Sequence, residues 1–365
     1  LCDRRQRQMC IRDSIFLGLL FVGLWANAQI VYHDASQFAL LGRATNSTLT
    51  RYERLPDSLQ SKVRPVLWNL GQNTAGLAVR FRTNSTTVSA QWTVRFDKVM
   101  KHMALTGIKG LDLYCLEDTV WRFAGVGRPS GKENKATLVA HMEPKMREFL
   151  LYLPLYDGIT DLQIGVDSLS EILLPAINLP VREKPIVFYG TSILQGGCAT
   201  RPGMAHTNIL SRWLNRETIN LGFSGNGLLD VEIAEIMAHI DASVYVLDFV
   251  PNCQAARIDS LAERFYKVIR ERQPYTPILF VENPVYPYSF YNKQVADDIA
   301  SRNESINRIF HRLKEKGDKN IWLLKSENMI GHDGEATVDG EHFTDLGFMR
   351  YAEFLYPILQ KHMGQ

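Results

Sequence analysis

The chain has 365 residues, 45% hydrophobic and 22% charged, with a formal net charge of +2. That length favours two domains over one, and the composition is that of a globular protein, not a disordered, collagenous or solenoid one. The four Arg and two Asp of residues 1–14 carry the whole surplus, so the chain from Gln29 onward sums to zero; it holds no basic stripe for a phosphate backbone, and nucleic acid is not an expected partner.

The N-terminus reads as an export signal. Residues 4–14, RRQRQMCIRDS, look like adaptor-derived sequence, so residues 1–14 are set aside from fold reasoning. Ile15 to Trp25 is an apolar run too short to span a bilayer comfortably, and Ala26-Asn27-Ala28 follows it as a small-residue cleavage site. Cleavage is expected before Gln29, leaving a periplasmic or secreted protein with no stable membrane span. Beyond residue 28 the cysteines are Cys115, Cys198 and Cys253, an odd number that leaves at least one free thiol. A Cys198–Cys253 disulfide and three small buried thiols are both open.

From about Val31 to Leu179 the pattern is strand-like. Leu77–Thr83 and Thr87–Val94 alternate apolar with polar residues, with Asn84-Ser85 as the turn between them. Short runs follow at Leu111–Leu116, Thr119–Ala124, Arg147–Tyr152 and Leu162–Val166. Many short alternating strands predict a β-sandwich or jelly roll over residues 29–181.

From residue 182 onward the period changes. Continuous apolar runs at Pro185–Tyr189, Ile219–Gly222, Val244–Val250, Pro277–Val281 and Ile321–Leu324 predict strands buried on both faces. Between them lie helical patterns at Met204–Glu217, Asp230–Ile240, Ala255–Arg272 and Lys293–Lys316, and a last one at Thr344–Gln360. Strict β-α alternation predicts a parallel five-stranded sheet covered by helices, with ligands beyond the carboxyl ends of its strands.

The chemistry-bearing residues fall at those ends. The first strand runs into Gly190-Thr191-Ser192; taken alone, a serine there is more often a turn or cap residue. Near the other end, Asp339-Gly340-Glu341-His342 places a base and an acceptor for its far nitrogen in one loop, ahead of a helix that Thr344 would cap. The second strand leads into Gly222-Phe223-Ser224-Gly225-Asn226-Gly227, whose backbone N–H groups can approach a ligand oxygen. The third leads to Pro251-Asn252, whose amide can donate to the same oxygen. There is no nucleophile elbow, phosphate loop or zinc helix, and no metal or organic cofactor is expected.

The order Gly-x-Ser, Gly, Asn, Asp-x-x-His at successive strand ends resembles the SGNH/GDSL hydrolase superfamily. The resemblance covers residues 184–360. The N-terminal half is similar to the β-sandwich of a two-domain bacterial subgroup, through Trp68-Asn69-Leu70, Gly76–Ser85 and Gly107-x-x-Gly110-x-Asp112-Leu113-Tyr114. The resemblance implies a flavodoxin-like α/β domain in which Ser192 attacks, His342 is its base and Asp339 orients His342. It also implies an oxyanion hole from the Ser192 N–H, a glycine N–H and the Asn252 side chain. Gly225 is the first alignment for that glycine and Gly222 the alternative. The signature Gly-Asp-Ser is Gly-Thr-Ser here, and the usual Gly-x-Asn-Asp is Val250-Pro251-Asn252-Cys253.

Three further residues are candidates for substrate contact. Arg201 either meets a leaving group or braces its loop. Glu282 and Tyr286 open an aromatic loop, residues 282–292, that either stacks on sugar rings or packs against the N-terminal domain. The expected activity is hydrolysis of short acyl esters, such as acetyl groups on carbohydrate, through an acyl-serine. The substrate is a small-molecule or polysaccharide ester. The rivals are a lipase or thioesterase activity, and a carbohydrate-binding protein that has lost catalysis on the same fold.

Overall fold

The computed structural model describes residues 29–363, so the expected signal peptide lies outside the described residues. Ten strands come first: β1 (Ile30–Asp34), β2 (Ala39–Leu41), β3 (Ala78–Thr83), β4 (Val88–Val94), β5 (Leu111–Glu117), β6 (Val120–Gly127), β7 (Glu133–Val139), β8 (Arg147–Tyr152), β9 (Ile159–Asp167) and β10 (Ile172–Leu173). They form two antiparallel sheets, ordered 1-9-4-7 and 10-3-8-5-6, with β2 also pairing β3. Inward residues such as Val79, Phe81, Ala90, Trp92, Phe149 and Ile164 fill the space between the sheets.

Asn84-Ser85 is the turn between β3 and β4, and because these strands belong to different sheets it is an arch from one to the other. It is pinned to β9, where the Asp167 carboxylate accepts from Thr86 N–H (2.8 Å) and Ser85 Oγ (2.9 Å). Arg80, a charged residue on β3, is buried. It is 3% exposed, paired with Glu148 at 2.7 Å and stacked over Trp121, because residues 172–180 cross that side of the sheet.

Two short helices interrupt this half, α1 (Pro65–Gly71) and α2 (Leu105–Lys109). Leu55, Leu59, Val63, Leu67 and Trp68 of the stretch leading through α1 pack in the same apolar cluster as Val187, Tyr189 and Leu247 of the following sheet. Burial of that kind contributes roughly 1.5–3 kcal/mol per large aliphatic side chain. The outer face of the second sheet is covered too: Tyr152 Oη donates to Asn208 O (3.2 Å), and the Arg212 guanidinium lies 3.9 Å from the Tyr114 ring centre.

The second half holds β11 (Val181–Gly190), β12 (Arg216–Gly222), β13 (Val244–Asp248), β14 (Ile278–Val281) and β15 (Ile321–Leu324), all parallel, in the order 12-11-13-14-15. Its helices are α3 (Ser192–Gln195), α4 (His206–Leu214), α5 (Val231–Ala238), α6 (Ala255–Arg272), α7 (Lys293–Glu315) and α8 (Asp345–His362). Ile186 and Phe188 point into the cluster with α4 and α8, Val187 and Tyr189 into the one with α5 and α6. Burial on both faces is why β11 reads as an unbroken apolar run. The helix expected over 204–217 stops at Leu214, because Asn215 turns left-handed (φ 47°) and releases the chain into β12. The strand expected to reach Val250 ends at Asp248, and residues 250–252 wind into a 3₁₀ turn that carries Asn252. Among the described residues no helix is long and apolar enough to cross a membrane.

The strand order reverses between β11 and β13, which opens a crevice at their carboxyl ends. Asp248, at the end of β13, is 3% exposed and accepts from Tyr351 Oη at 2.9 Å. Burial pushes its carboxyl up to about 7, from an ordinary 3.8. The folded state therefore holds a proton that the unfolded chain has lost, and stability falls as pH rises through that window. Asp248→Asn keeps the acceptor and removes the charge. It should raise the melting temperature more at pH 8 than at pH 4; equal gains in melts at the two pH values would contradict this.

Candidate active site

The serine loop is built by β11 and α3. Thr191 caps the short helix, its hydroxyl accepting from Ile193 N–H at 3.3 Å. Ser192 is the first helical residue, 8% exposed, so its own N–H belongs to the turn that has no intrahelical acceptor.

The opposing loop precedes α8. A bridge between Thr337 and Phe343, and Val338 N–H donating to His342 O at 2.8 Å, fold it back on itself. Gly340 allows this: φ is +98°, and a Cβ there would lie 2.6 Å from a carbon of the Tyr288 ring. Thr344 caps α8 as expected, and Asp345 accepts from Thr200 N–H at 3.0 Å, tying the histidine loop to the serine loop.

These two loops bring Ser192, His342 and Asp339 together. Ser192 Oγ lies 2.9 Å from His342 Nε2, and His342 Nδ1 lies 2.8 Å from Asp339 Oδ2. The other Asp339 oxygen accepts the N–H of His342 (2.9 Å) and of Glu341 (3.1 Å). Burial alone would push the Asp339 carboxyl up. The His342 N–H, the imidazole and the Glu341 N–H outweigh it and hold the carboxyl below its ordinary range. Asp339 is thus an anion in place to fix one imidazole tautomer.

Asn252 faces the same point. Its Oδ1 accepts Gly227 N–H at 3.2 Å, which turns its NH₂ end toward the space beside Ser192. The two glycine candidates differ in their surroundings. Gly222 N–H is already spent on Asn220 Oδ1 at 2.9 Å. Gly225 sits in the turn closed by Asn226 N–H and Phe223 O, with φ +64°.

Ser192, Asn252 and His342 border a small space, about 30 Å³, lined also by Thr191, Tyr286, Arg302, Glu341 and their neighbours. Tyr286 was legible from sequence; Arg302 and Glu341 were not. Arg302 comes from α7, donates to Pro251 O at 3.1 Å, and has a buried Nε without a partner. Glu341 accepts from Tyr288 Oη at 3.0 Å.

Two expected substrate contacts lie elsewhere. Arg201 braces the two halves: it donates to Asp112 (2.7 Å) and Tyr114 Oη (2.6 Å), and stacks over Phe123. The same Asp112 accepts Gly203 N–H at 2.7 Å, so the Asp112-Leu113-Tyr114 motif holds the loop that follows the serine. Glu282 is 5% exposed and turned away from the pocket. It is consumed by Asn307 (2.6 Å), Lys325 (3.1 Å) and Ser326 N–H (2.8 Å). Among the described residues the cysteines form no disulfide. Cys115, Cys198 and Cys253 are separate buried thiols, and Cys253 Sγ donates to Gly227 O.

A buried polar network from the N-terminal half underlies the site. Arg54 is 1% exposed and, among the described residues, meets no carboxylate. Its guanidinium donates to four backbone carbonyls: Leu70 (2.7 Å), Gly222 (2.8 Å), Asn73 (2.9 Å) and Asn220 (3.1 Å). Burial lowers its pKa to about 9, so it stays cationic at neutral pH. Gln195, in the serine helix, donates to Asn73 Oδ1 and Leu155 O and accepts Ser224 N–H at 2.9 Å. Tyr156 Oη donates to Ser192 O at 3.2 Å.

Residues 183–360 match the GDSL-like lipase/acylhydrolase family, and residues 30–172 match the N-terminal domain of SGNH-hydrolase-type esterases. No curated protein matches the sequence. Among solved structures, a protein from Bacteroides ovatus described as a GDSL-like lipase is 37% identical, with a TM-score of 0.88 over 92% of this chain and 98% of that one. A salicylyl-acyltransferase from a tetracycline biosynthetic pathway shares the fold at 18% identity, with a TM-score of 0.72 over 92% of this chain and 97% of its own. A family two carbohydrate esterase from Cellvibrio japonicus does so at 13% identity, with a TM-score of 0.59 over 92% and 98%. The chain belongs to the GDSL/SGNH hydrolase family.

Proposed function

We propose that the protein is an exported esterase that removes short acyl groups, acetyl above all, from carbohydrate. The observation that carries the activity is the unbroken chain from Ser192 Oγ through His342 to Asp339, at 2.9 and 2.8 Å. His342 takes the serine proton as Oγ attacks the ester carbonyl, then gives it to the departing alcohol. Water repeats the sequence on the acyl-serine. The Ser192 and Gly225 N–H groups and the Asn252 amide receive the oxyanion, each donor worth roughly two orders of magnitude in rate.

Acyl length follows from the pocket. A cavity of about 30 Å³ with a mostly polar wall that includes Ser192, Asn252, Arg302 and Glu341 suits a short acyl group such as acetyl. The polar wall suits a hydroxyl-rich alcohol, and the Cellvibrio japonicus protein of this fold is a carbohydrate esterase. Export rests on the apolar run and Ala26-Asn27-Ala28.

Arg54 acts as a positioning residue. By gripping Asn220 and Gly222 it sets the turn from which Gly225 offers its N–H, so the N-terminal half takes part in the chemistry without touching substrate.

On p-nitrophenyl acetate, butyrate and octanoate, kcat/KM should fall steadily with chain length; a preference for octanoate would overturn the deacetylase reading. Ser192→Ala should lower kcat on the acetate by at least about 10⁴-fold, and unchanged activity would refute the nucleophile. Arg54→Lys reaches fewer carbonyls. In folded protein it should lower kcat by about 10- to 100-fold with KM altered far less. Wild-type kcat in that variant would contradict the positioning role.

A further inference from the structure

His342 and Asp339 have two neighbours that the proposed reaction does not use. His102, from the N-terminal loop before α2, sets its ring 5.7 Å from the His342 ring, centre to centre. Cys198 lies in the serine loop with a left-handed backbone (φ 73°), and the residue is 5% exposed. One potential ligand atom from each of His102, Cys198, Asp339 and His342 falls within 4.8 Å of all the others. The rigidity behind this is visible. The backbone of Gly197 packs so closely that a Cβ there would lie 3.1 Å from His342 Cδ2, and Asp345 holds Thr200 on the far side of Cys198.

We propose that these four residues form a binding site for a thiophilic divalent cation of the zinc type, and that occupying it switches the hydrolase off. The switching part rests on the esterase reading above; the binding part does not. One sulfur, two imidazoles and one carboxylate, four donors in all, are the mixed set that zinc takes in tetrahedral geometry. Calcium and magnesium require six or more oxygens and find one carboxylate here. On binding, the Cys198 thiol gives its proton to solvent and the thiolate closes on the metal.

Inhibition follows whichever His342 nitrogen ligates. Through Nε2, the metal takes the lone pair that would receive the serine proton. Through Nδ1, it replaces the hydrogen bond between that nitrogen and Asp339 and forces the remaining ring proton onto Nε2, where it faces Ser192 Oγ as a donor. In both cases the imidazole ceases to be a base. His102 comes from the N-terminal half, so the site exists only while the two halves are docked.

The test uses the whole protein after chelator treatment, titrated with zinc or cobalt(II). Cobalt should bind as one ion per chain and give a thiolate-to-metal absorption band, absent in Cys198→Ser. Zinc should abolish p-nitrophenyl acetate hydrolysis reversibly, with EDTA restoring it. His102→Ala should keep metal-free turnover within about twofold of wild type yet need at least about tenfold more zinc for half-inhibition. No cobalt band, or the same zinc sensitivity in His102→Ala as in wild type, would overturn the site. The cobalt spectrum needs no turnover, so a protein inert on every ester but showing the Cys198-dependent band would refute the esterase and leave the metal site standing.

Discussion

A single hydrogen bond, Ser192 Oγ to His342 Nε2 at 2.9 Å, joins loops 150 residues apart in sequence, and the rest of the molecule is arranged around keeping it. Neither loop is stiff by itself. The serine sits on a four-residue helix, and the histidine in a hairpin-like loop whose Asp339 is 36% exposed. Precision comes from what they stand on. β11 is buried on both faces, and α8 is anchored by its Thr344 cap and by Phe343, Phe348 and Tyr351 in the core. The Thr200–Asp345 bond then closes the gap between the loops directly.

The N-terminal half contributes polar anchors as well as apolar surface. Arg54 buries a full charge with no carboxylate partner among the described residues, an arrangement tolerable only because four carbonyls satisfy its N–H groups. Asn73, Leu155 and Tyr156 reach the serine helix through Gln195 and the Ser192 carbonyl. Arg201 returns the connection from the serine loop to Asp112 and Tyr114. Two domains distinct in secondary structure therefore share one continuous hydrogen-bonded floor under the crevice.

Much of this was legible in the sequence where periodicity speaks. Ala255–Arg272 and Ile321–Leu324 are bounded in the structure as the pattern places them, because an amphipathic helix and a doubly buried strand each leave a mark on every residue. Asp339 and His342 three apart could be paired for the same local reason. Long-range polar contacts leave no such mark. Nothing near Arg54 or Arg302 sets them apart from ordinary surface arginines, and their partners lie up to 168 positions away. For Arg201 the sequence left a leaving-group contact and a loop brace open, because nearness to Ser192 along the chain says nothing about which way a side chain points; its bonds to Asp112 and Tyr114 are those of a brace. That the Gly222 N–H is spent on Asn220 likewise leaves no trace in the sequence.

The central claim is that His342 makes the Ser192 oxygen a nucleophile, and covalent labelling tests it without reference to any natural substrate. Treated with a fluorophosphonate and analysed by intact and peptide mass spectrometry, the protein should gain a single phosphonyl group on Ser192, and His342→Ala should lose that reactivity. Labelling at another residue, or undiminished labelling of Ser192 without the imidazole, would contradict the account.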